Sequence, residues 1–297
     1  YTNCNHRWSL LPSPSHTGSY TWNYFIQYMI PDSKQGYLEA NGVSVYAGKK
    51  ALIENIDFAI KPGSLHVILG PNGAGKSTLL RTLTGEHPAD SGTISLDGKI
   101  LSHYDSIDLA KRRACLPQSS TLSFPFTIGE VVSIGRHPHC ENSADTKATV
   151  DAALEQVGLL SRIDESYLHL SGGEKQRVHL ARVLCQLEKP KGRILLLDEP
   201  TVSLDLTYQQ LVFSIAREWA SKGASVLLVL HDLNQAMCFA HEVTVMHKGQ
   251  VVGQGKPDEV LTSELIERVY SVRSEWIKSD GCRLLSIKNA CQNFYKS

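Results

Sequence analysis

Short apolar runs alternate with helical patterns along most of the chain after residue 37. Three of the runs are largely apolar and strand-length, which is typical of strands that are buried on both faces. They are Leu65–Leu69, Gly192–Leu197 and Val226–Leu230. Because helical patterns lie between them, the alternation predicts an α/β core whose mainly parallel sheet is covered by helices on both faces.

A second, smaller sheet is predicted ahead of this core. Two strand-like segments, which begin at Leu38 and Leu52, are joined by a turn at Gly48. A hairpin at Thr93–Leu96, turned by Asp97-Gly98, returns to the same sheet. Short turns of this kind join antiparallel strands, so we expect an N-terminal antiparallel β subdomain.

An inserted α-helical subdomain is predicted at about residues 120–170. Thr127 and Glu130 have the spacing of a capping box, in which each side chain satisfies a backbone N–H of the other residue. Asp145–Val157 is predicted as another helix, stopped by Gly158. We expect one side of that helix to be buried through Ala148, Ala152 and Val157.

Three more helices and a strand pair complete the pattern. The helices begin near Ser171, Tyr208 and Glu259, and the strand pair turns at Lys248-Gly249. The helix from Glu259 to Val269 is predicted to close the domain. The buried face of the helix near Ser171 should consist of Val178, Ala181, Leu184 and Leu187.

The main domain is expected to cover residues 37–275, with a segment on each side. Residues 1–36 have no clear period, and two interpretations stay open. Either Met29 is the natural start and the earlier residues are translated upstream sequence, or the stretch is a genuine disordered arm. Residues 276–297 are a C-terminal tail to which the pattern assigns no structure.

Composition narrows the possible partners. The chain has 30 basic and 30 acidic residues, so its zero formal charge gives no electrostatic argument for nucleic acid. No apolar run approaches the roughly 20 residues of a membrane-spanning helix, although the chain could dock on a membrane protein. The seven cysteines are scattered and include no CxxC motif, which favours reduced thiols over a disulfide scaffold.

A phosphate-binding motif follows the first buried run. It has the pattern G-x-x-x-x-G-K-[ST] between a strand and a helix. The glycines let backbone N–H groups point at phosphate oxygens, and the helix N-terminus favours an anion. We expect Lys76 to reach the β- and γ-phosphates and the Ser77 hydroxyl to ligate Mg²⁺. The predicted nucleotide-binding residues are Gly70, Pro71, Asn72, Gly73, Ala74, Gly75, Lys76, Ser77 and Thr78.

Two carboxylates follow the second buried run. Asp198 stands where that strand reaches the carboxyl edge of the sheet, which is the side on which such sheets bind ligands. Its carboxylate can hold Mg²⁺, and Glu199 is the candidate base for the attacking water. An Asp-Glu pair after a strand is more often a solvated turn, but the apolar strand before it and the phosphate loop upstream favour the catalytic interpretation.

Five features follow the phosphate loop in order. They are Gln118, Leu170–Gln176, Asp198-Glu199, Asp205 and His231. Through this ordered set the chain resembles the ATP-binding-cassette (ABC) ATPases across about residues 37–260. The resemblance implies a P-loop ATPase core that hydrolyses ATP with Mg²⁺. It also implies that Gln118 contacts Mg²⁺ and the attacking water, and that His231 bonds to the γ-phosphate.

The same resemblance implies that two chains act together. Ser171, Gly172 and Gly173 match the signature motif, which covers the γ-phosphate of ATP bound to a second subunit. A homodimer would therefore sandwich two ATP molecules, with Asp205 on the loop between the two sites. Tyr46 is placed like the aromatic residue that stacks on adenine, and an ordinary strand aromatic is the alternative.

Within this family, the segment from Arg113 to His139 is most similar to bacterial hemin-import ATP-binding subunits. That similarity implies a complex of two ATPases, two transmembrane permease subunits and a periplasmic hemin-binding protein, at the cytoplasmic face of the inner membrane. A siderophore or cobalamin importer and a non-transport scaffold stay open as alternatives. Cassette proteins that act on translation or DNA usually carry two cassettes or a long coiled coil, and neither pattern is present.

His137, His139 and Cys140 invite a metal- or heme-ligand interpretation. The spacing supports it weakly, and Pro138 beside Arg136 indicates a loop that ends a helix. We therefore expect this insertion to face the permease, with the basic Arg136 near the groove where the two proteins couple.

Overall fold

The computed structural model describes residues 35–118, 122–202, 204–279 and 282–290. Most of the predicted N-terminal extension and the end of the C-terminal tail lie outside these ranges. None of the helices in these ranges combines the length and the apolar character that a membrane crossing requires.

Strands and helices alternate along the described residues. The strands are β1 (Leu38–Ala47), β2 (Lys50–Ile60), β3 (Leu65–Leu69), β4 (Ser91–Leu96), β5 (Lys99–Ile100), β6 (Arg113–Leu116), β7 (Ile194–Asp198), β8 (Ser225–Val229), β9 (Glu242–His247), β10 (Gln250–Gly255), β11 (Val272–Ser279) and β12 (Cys282–Ala290). The α-helices are α1 (Lys76–Leu83), α2 (Ser106–Arg112), α3 (Ile128–Ser133), α4 (Ser143–Gln156), α5 (Gly172–Leu187), α6 (Leu206–Ser221), α7 (Leu233–Phe239), α8 (Pro257–Val260) and α9 (Ser263–Tyr270).

The central sheet has six strands in the order β10-β9-β3-β8-β7-β6. The strands from β9 to β6 pair in parallel, and β10 runs antiparallel to β9. The predicted mainly parallel sheet is thus confirmed. Because parallel strands end at the same edge, this order brings the segments after β3, β6, β7 and β8 together.

An apolar cluster covers each face of the central sheet. Because alternate side chains of a strand point to opposite faces, a single strand contributes to both clusters. Leu195 and Leu197 belong to one apolar cluster, together with α4, α5 and α6. Ile194 and Leu196 belong to a second cluster with α1 and the small sheet. That sheet has the order β2-β1-β4-β5, and the pairings β1–β2, β1–β4 and β4–β5 are antiparallel, as predicted.

The helical insertion packs on α5. Thr127 caps α3, and the predicted capping box with Glu130 is present in full. The prediction for the buried face of α4 is wrong in part, because Ala148 and Ala152 are exposed. The buried residues of this region are instead Val150, Ala153, Leu154 and Val157.

The C-terminal end departs most from the predicted pattern. The single closing helix is instead two helices, α8 and α9, and Thr262 caps the second. Strands β11 and β12 then form a separate antiparallel hairpin, so the predicted boundary at residue 276 falls inside β11. The hairpin is docked on the domain: Trp276 Nε1 donates to Leu261 O at 2.5 Å, and Leu285 N donates to Asn234 Oδ1 of α7 at 2.6 Å.

Candidate nucleotide-binding site

The phosphate loop joins β3 to α1, as predicted, and its glycines are required by the backbone. Gly70 and Gly75 have φ angles of 151° and 101°. A Cβ atom on Gly75 would lie 2.7 Å from Ile53 Cγ2 and 2.9 Å from Leu52 O, and one on Gly70 would collide with Met246 O. Both positions therefore exclude a side chain through conformation and through space.

Lys76 is held inside its own loop. Its side chain is buried, and Nζ donates to Gly70 O at 2.7 Å and to Pro71 O at 3.1 Å. Burial lowers the pKa of Lys76, whereas the nearby carboxylates of Glu199 and Asp198 act in the opposite direction. The ammonium group thus lies at the loop with two acidic groups close to it.

Asp198 ends β7 and is 4% exposed. Burial raises the pKa of its carboxyl group, the charge of Glu199 adds to that effect, and a hydrogen bond from Ser77 opposes it. None of the described residues donates a hydrogen bond to its buried Oδ1 atom. A buried carboxylate oxygen with an open coordination position, next to a hydroxyl group, is a donor set that fits a hard divalent cation.

Two other predicted residues, Gln118 and His231, contact Glu199. Gln118 Nε2 donates to Glu199 Oε2 at 2.7 Å, and His231 Nε2 lies 2.5 Å from Glu199 Oε1. Gln118 follows β6 and His231 follows β8, so the sheet order places both side chains on either side of Glu199. Glu199 itself has a φ of 49°, a left-handed conformation that is uncommon outside glycine and that clusters at functional sites.

A cleft of about 790 Å³ lies along these groups. Its lining includes the predicted Asn72–Thr78, Gln118, Glu199 and His231. Five further lining residues were missed by the sequence analysis. They are Lys50, Ala51, Leu52, Lys248 and Gly249.

The missed residues belong to two elements that hold the phosphate loop in place. Gly249 N donates to Ala74 O at 3.0 Å, and Glu54 N donates to Gly249 O at 2.9 Å. The turn between β9 and β10 therefore bridges the loop and β2. The sequence marked Lys248-Gly249 as a turn, but its contact with a loop far away in the chain had no sequence signal.

Other predicted site residues lie elsewhere. Within the described part of the chain, Tyr46, Asp205 and the signature motif do not line the cleft. Tyr46 is 41% exposed and pairs with Ala51 across β1 and β2, which places it beside the lining. Asp205 caps α6 by accepting a hydrogen bond from Tyr208 N at 3.0 Å.

The signature motif forms the N-terminus of α5. Ser171 is the capping residue, and Glu174 completes a capping box with it. A Cβ atom on Gly172 would meet nothing within 4 Å, so packing within this chain does not require glycine there.

Among the described residues, His137 and Cys140 do not join His139 in a group with metal-ligand geometry. Arg136 is 3% exposed, forms ion pairs with Glu141 and Glu188, and donates to Cys185 O at 2.7 Å. His139 lies close to the same two carboxylates, which Arg136 also contacts. These contacts hold the Arg136 side chain within its own chain, and its predicted position near a permease groove stays a prediction.

A glycine-rich cradle between strand and helix, with paired carboxylates at the edge of a mainly parallel sheet, defines a P-loop nucleoside triphosphatase. The ABC transporter family model matches residues 53–202, and the chain belongs to this family. It is therefore an ATP-binding subunit that hydrolyses ATP.

Known relatives support this assignment. The chain is 46% identical over 253 residues to the hemin import ATP-binding protein HmuV of Myxococcus xanthus. The aligned region covers 82% of this chain and 94% of the relative. The HmuV protein of Shewanella denitrificans is 45% identical over 242 residues, with 81% and 95% covered.

Solved structures of ABC proteins share the fold. A metal-chelate type ABC transporter in an inward-facing conformation has a TM-score of 0.71 and 25% identity, with 84% of this chain and 96% of that chain covered. The protein cbiO1 of Clostridium perfringens, part of the ABC transporter complex cbiONQ, has a TM-score of 0.67 and 28% identity, with 78% and 92% covered.

Proposed function

We propose that this chain is the ATP-hydrolysing, energy-coupling subunit of a bacterial ABC importer for hemin. The observation that carries the proposal is the 46% identity to a hemin import ATP-binding protein across 94% of that relative. A ferric-siderophore importer is the second candidate, because a metal-chelate type transporter shares the fold, although at 25% identity.

The residues around Glu199 support a mechanism for hydrolysis. Glu199 would accept a proton from the attacking water, and the contacts of its two oxygens with Gln118 and His231 support this role. On ATP binding, Lys76 exchanges its loop carbonyls for phosphate oxygens, and His231 turns toward the γ-phosphate. Positioning and neutralisation of charge supply most of the rate enhancement in such reactions.

The side-chain oxygen atoms of this site are suitable ligands for magnesium. Ser77 and Asp198 would hold the ion, with Gln118 beside them, and the open Oδ1 of Asp198 supports this assignment. When bound, Mg²⁺ neutralises charge on the phosphates.

We further propose that two copies of the chain close on two ATP molecules. Ser171, Gly172 and Gly173 would cap the γ-phosphate held by the other copy, with Asp205 between the sites and Tyr46 against adenine. The open space around Gly172 supports an approach from outside the chain. The N-terminus of α5 suits an anion there.

The homodimer would act with two transmembrane permease subunits at the cytoplasmic face of the inner membrane, and a periplasmic hemin-binding protein would deliver the substrate. ATP binding would close the two ATPase subunits, hydrolysis would reopen them, and the motion would drive the permeases.

A reconstituted transport assay tests the substrate. The full chain is purified with its membrane partners from native cells and placed in proteoliposomes that contain ATP. Hemin uptake above that of the Glu199→Gln complex is expected, with little uptake of a ferric siderophore. Uptake of the siderophore without hemin would favour the second candidate, and the absence of any membrane partner would overturn both.

A further inference from the structure

The anion-binding end of α5 carries a carboxylate of its own. Ser171 N and Ser171 Oγ both donate to Glu174 Oε2 at 2.8 Å. The bond from Ser171 N, followed by the contact with Arg162 and the bond from Ser171 Oγ, lowers the pKa of Glu174 to about 2, so its carboxylate is charged at neutral pH. The group therefore lies on the same backbone N–H and hydroxyl donors that would face the partner's γ-phosphate.

Two negative groups at one helix N-terminus oppose each other. A carboxylate and a phosphate a few ångströms apart repel, and the repulsion grows as a closing interface removes water. The capping box itself does not need the charge, because glutamine at the same position satisfies the serine equally well. The charge on Glu174 therefore requires compensation if the helix end is to receive a phosphate.

Arg162 supplies a compensating charge. It lies in a short 3-10 turn ahead of the signature motif, and its Nη1 contacts Glu174 Oε1 while its Nε and Nη2 atoms bind Glu165. Its side chain is 33% exposed and that of Glu174 is 23% exposed, so the pair lies at the rim of the motif, where a partner would cover it.

We propose that Arg162 is a positioning residue for ATP-driven dimerisation, which offsets the charge of Glu174 beside the γ-phosphate of a nucleoside triphosphate bound to a second copy of this chain. This inference rests on the proposed ATP sandwich. Arg162 acts through Glu174 and touches no reacting atom.

A merely structural ion pair would behave differently. If the pair only fastens the turn to α5, removal of either side chain should lower dimer formation to the same extent. If Arg162 acts by neutralising charge, it is needed only while Glu174 carries that charge. A double-mutant cycle between the two residues separates these possibilities.

The experiment uses the full chain carrying Glu199→Gln, so that bound ATP is retained. Dimer formation is measured by light scattering across ATP concentrations, and binding of a fluorescent ATP analogue is measured at protein concentrations where the chain is monomeric. Arg162→Met, Arg162→Lys, Glu174→Gln and the combination of Arg162→Met with Glu174→Gln are compared, because a merely structural pair would lose the dimer in Glu174→Gln as well. Lys147→Met, which removes an exposed paired cation of the same insertion, is the matched control.

We expect Arg162→Met to lower the dimer association constant about tenfold while leaving monomer ATP affinity unchanged. In the Glu174→Gln background, Arg162→Met should lower the dimer association constant by less than about twofold. Arg162→Lys should retain most of the dimer. Equal losses from Arg162→Met in both backgrounds would overturn the inference alone. A Glu199→Gln chain that stays monomeric at saturating ATP would overturn the ATP sandwich, and this inference with it.

Discussion

Glu199 combines a strained backbone with two short side-chain contacts. Its left-handed φ of 49° costs free energy that a solvated turn would have no reason to retain. That conformation directs the carboxylate between Gln118 and His231, whose own positions follow from neighbouring strands. The residue is therefore prepared by the fold for one orientation before any ligand binds.

We expect Glu199→Gln to keep ATP binding and to lower turnover by about 100-fold or more, because an amide cannot accept the proton of the attacking water. Phosphate release and nucleotide binding are measured on the same preparation. Glu155→Gln, on an exposed face of α4, is the control. Hydrolysis at the wild-type rate in the first variant would show that the base is another group.

Lys76→Ala should weaken ATP affinity by about 10-fold to 100-fold, because a charge-assisted contact to phosphate is lost. The substitution also frees the carbonyl groups of Gly70 and Pro71, which accept from Nζ. Isothermal titration with ATP measures the effect, and Lys222→Ala, at the residue that follows α6, serves as the comparison. Unchanged affinity would contradict the role assigned to Lys76.

At the scale of elements, the turn between β9 and β10 supports the phosphate loop. Gly249 has a φ of 80°, and a Cβ atom there would lie 2.8 Å from Leu52 O. Its backbone bonds to Ala74 and Glu54 join three segments that are far apart in the chain. The geometry of the loop therefore depends on a hairpin that contains none of the ATPase motifs.

Gly249→Ala should destabilise the protein by about 1–3 kcal/mol and weaken ATP binding, since the turn must move away from β2 and the loop. Gly98→Ala is a matched control, because Gly98 has a φ of 79° but open space around it. The control should lose some stability with no change in ATP affinity. Equal affinity losses in both variants would contradict the bracing role.

Motifs with strong local chemistry were predictable, and weak amphipathic patterns were not. The capping box at Thr127 was predicted because its two side chains act within one turn. On α4, the short alanines carry little burial signal, whereas Val150 and Leu154 set the packed face through larger apolar area. The hairpin of β11 and β12 was missed because its mixed polar sequence has no clear alternation.

Within the site, the sequence indicated which residues belong together but not how they meet. The order of β3, β8, β7 and β6 is decided by long-range pairing, and that order places Gln118 and His231 against Glu199. The lining by Lys50 and Lys248 likewise depends on distant segments. No local pattern predicts such contacts, because each one joins residues that are far apart along the chain.

At the scale of the whole molecule, one buried histidine makes the core sensitive to acid. His66 is the second residue of β3, with Nε2 2.8 Å from Thr244 Oγ1 of β9 and its ring against Phe58. Burial lowers the pKa of His66 from 6.5 to about 4. As the pH falls between these values, the unfolded chain binds a proton that the folded chain does not.

The direction of the change in stability with pH follows from the linkage between proton binding and folding. The contribution of neutral His66 is fully present above pH 6.5 and is lost as the pH falls toward about 4. The loss in the free energy of unfolding should reach about 3 kcal/mol across this window. His66→Gln, which can still bond to Thr244, should lack this part of the pH dependence in urea titrations. An identical pH slope in both proteins would contradict the assignment, and His87→Gln is the exposed control.

Strand β12 is bonded through Leu285 N to the side chain of Asn234, which lies only three positions beyond His231. Asn234 is the second residue of the seven-residue helix α7, so the hairpin is attached at the end of α7 that lies next to His231. A ligand that draws β12 away from Asn234 would therefore loosen the segment that carries His231 without entering the ATP cleft.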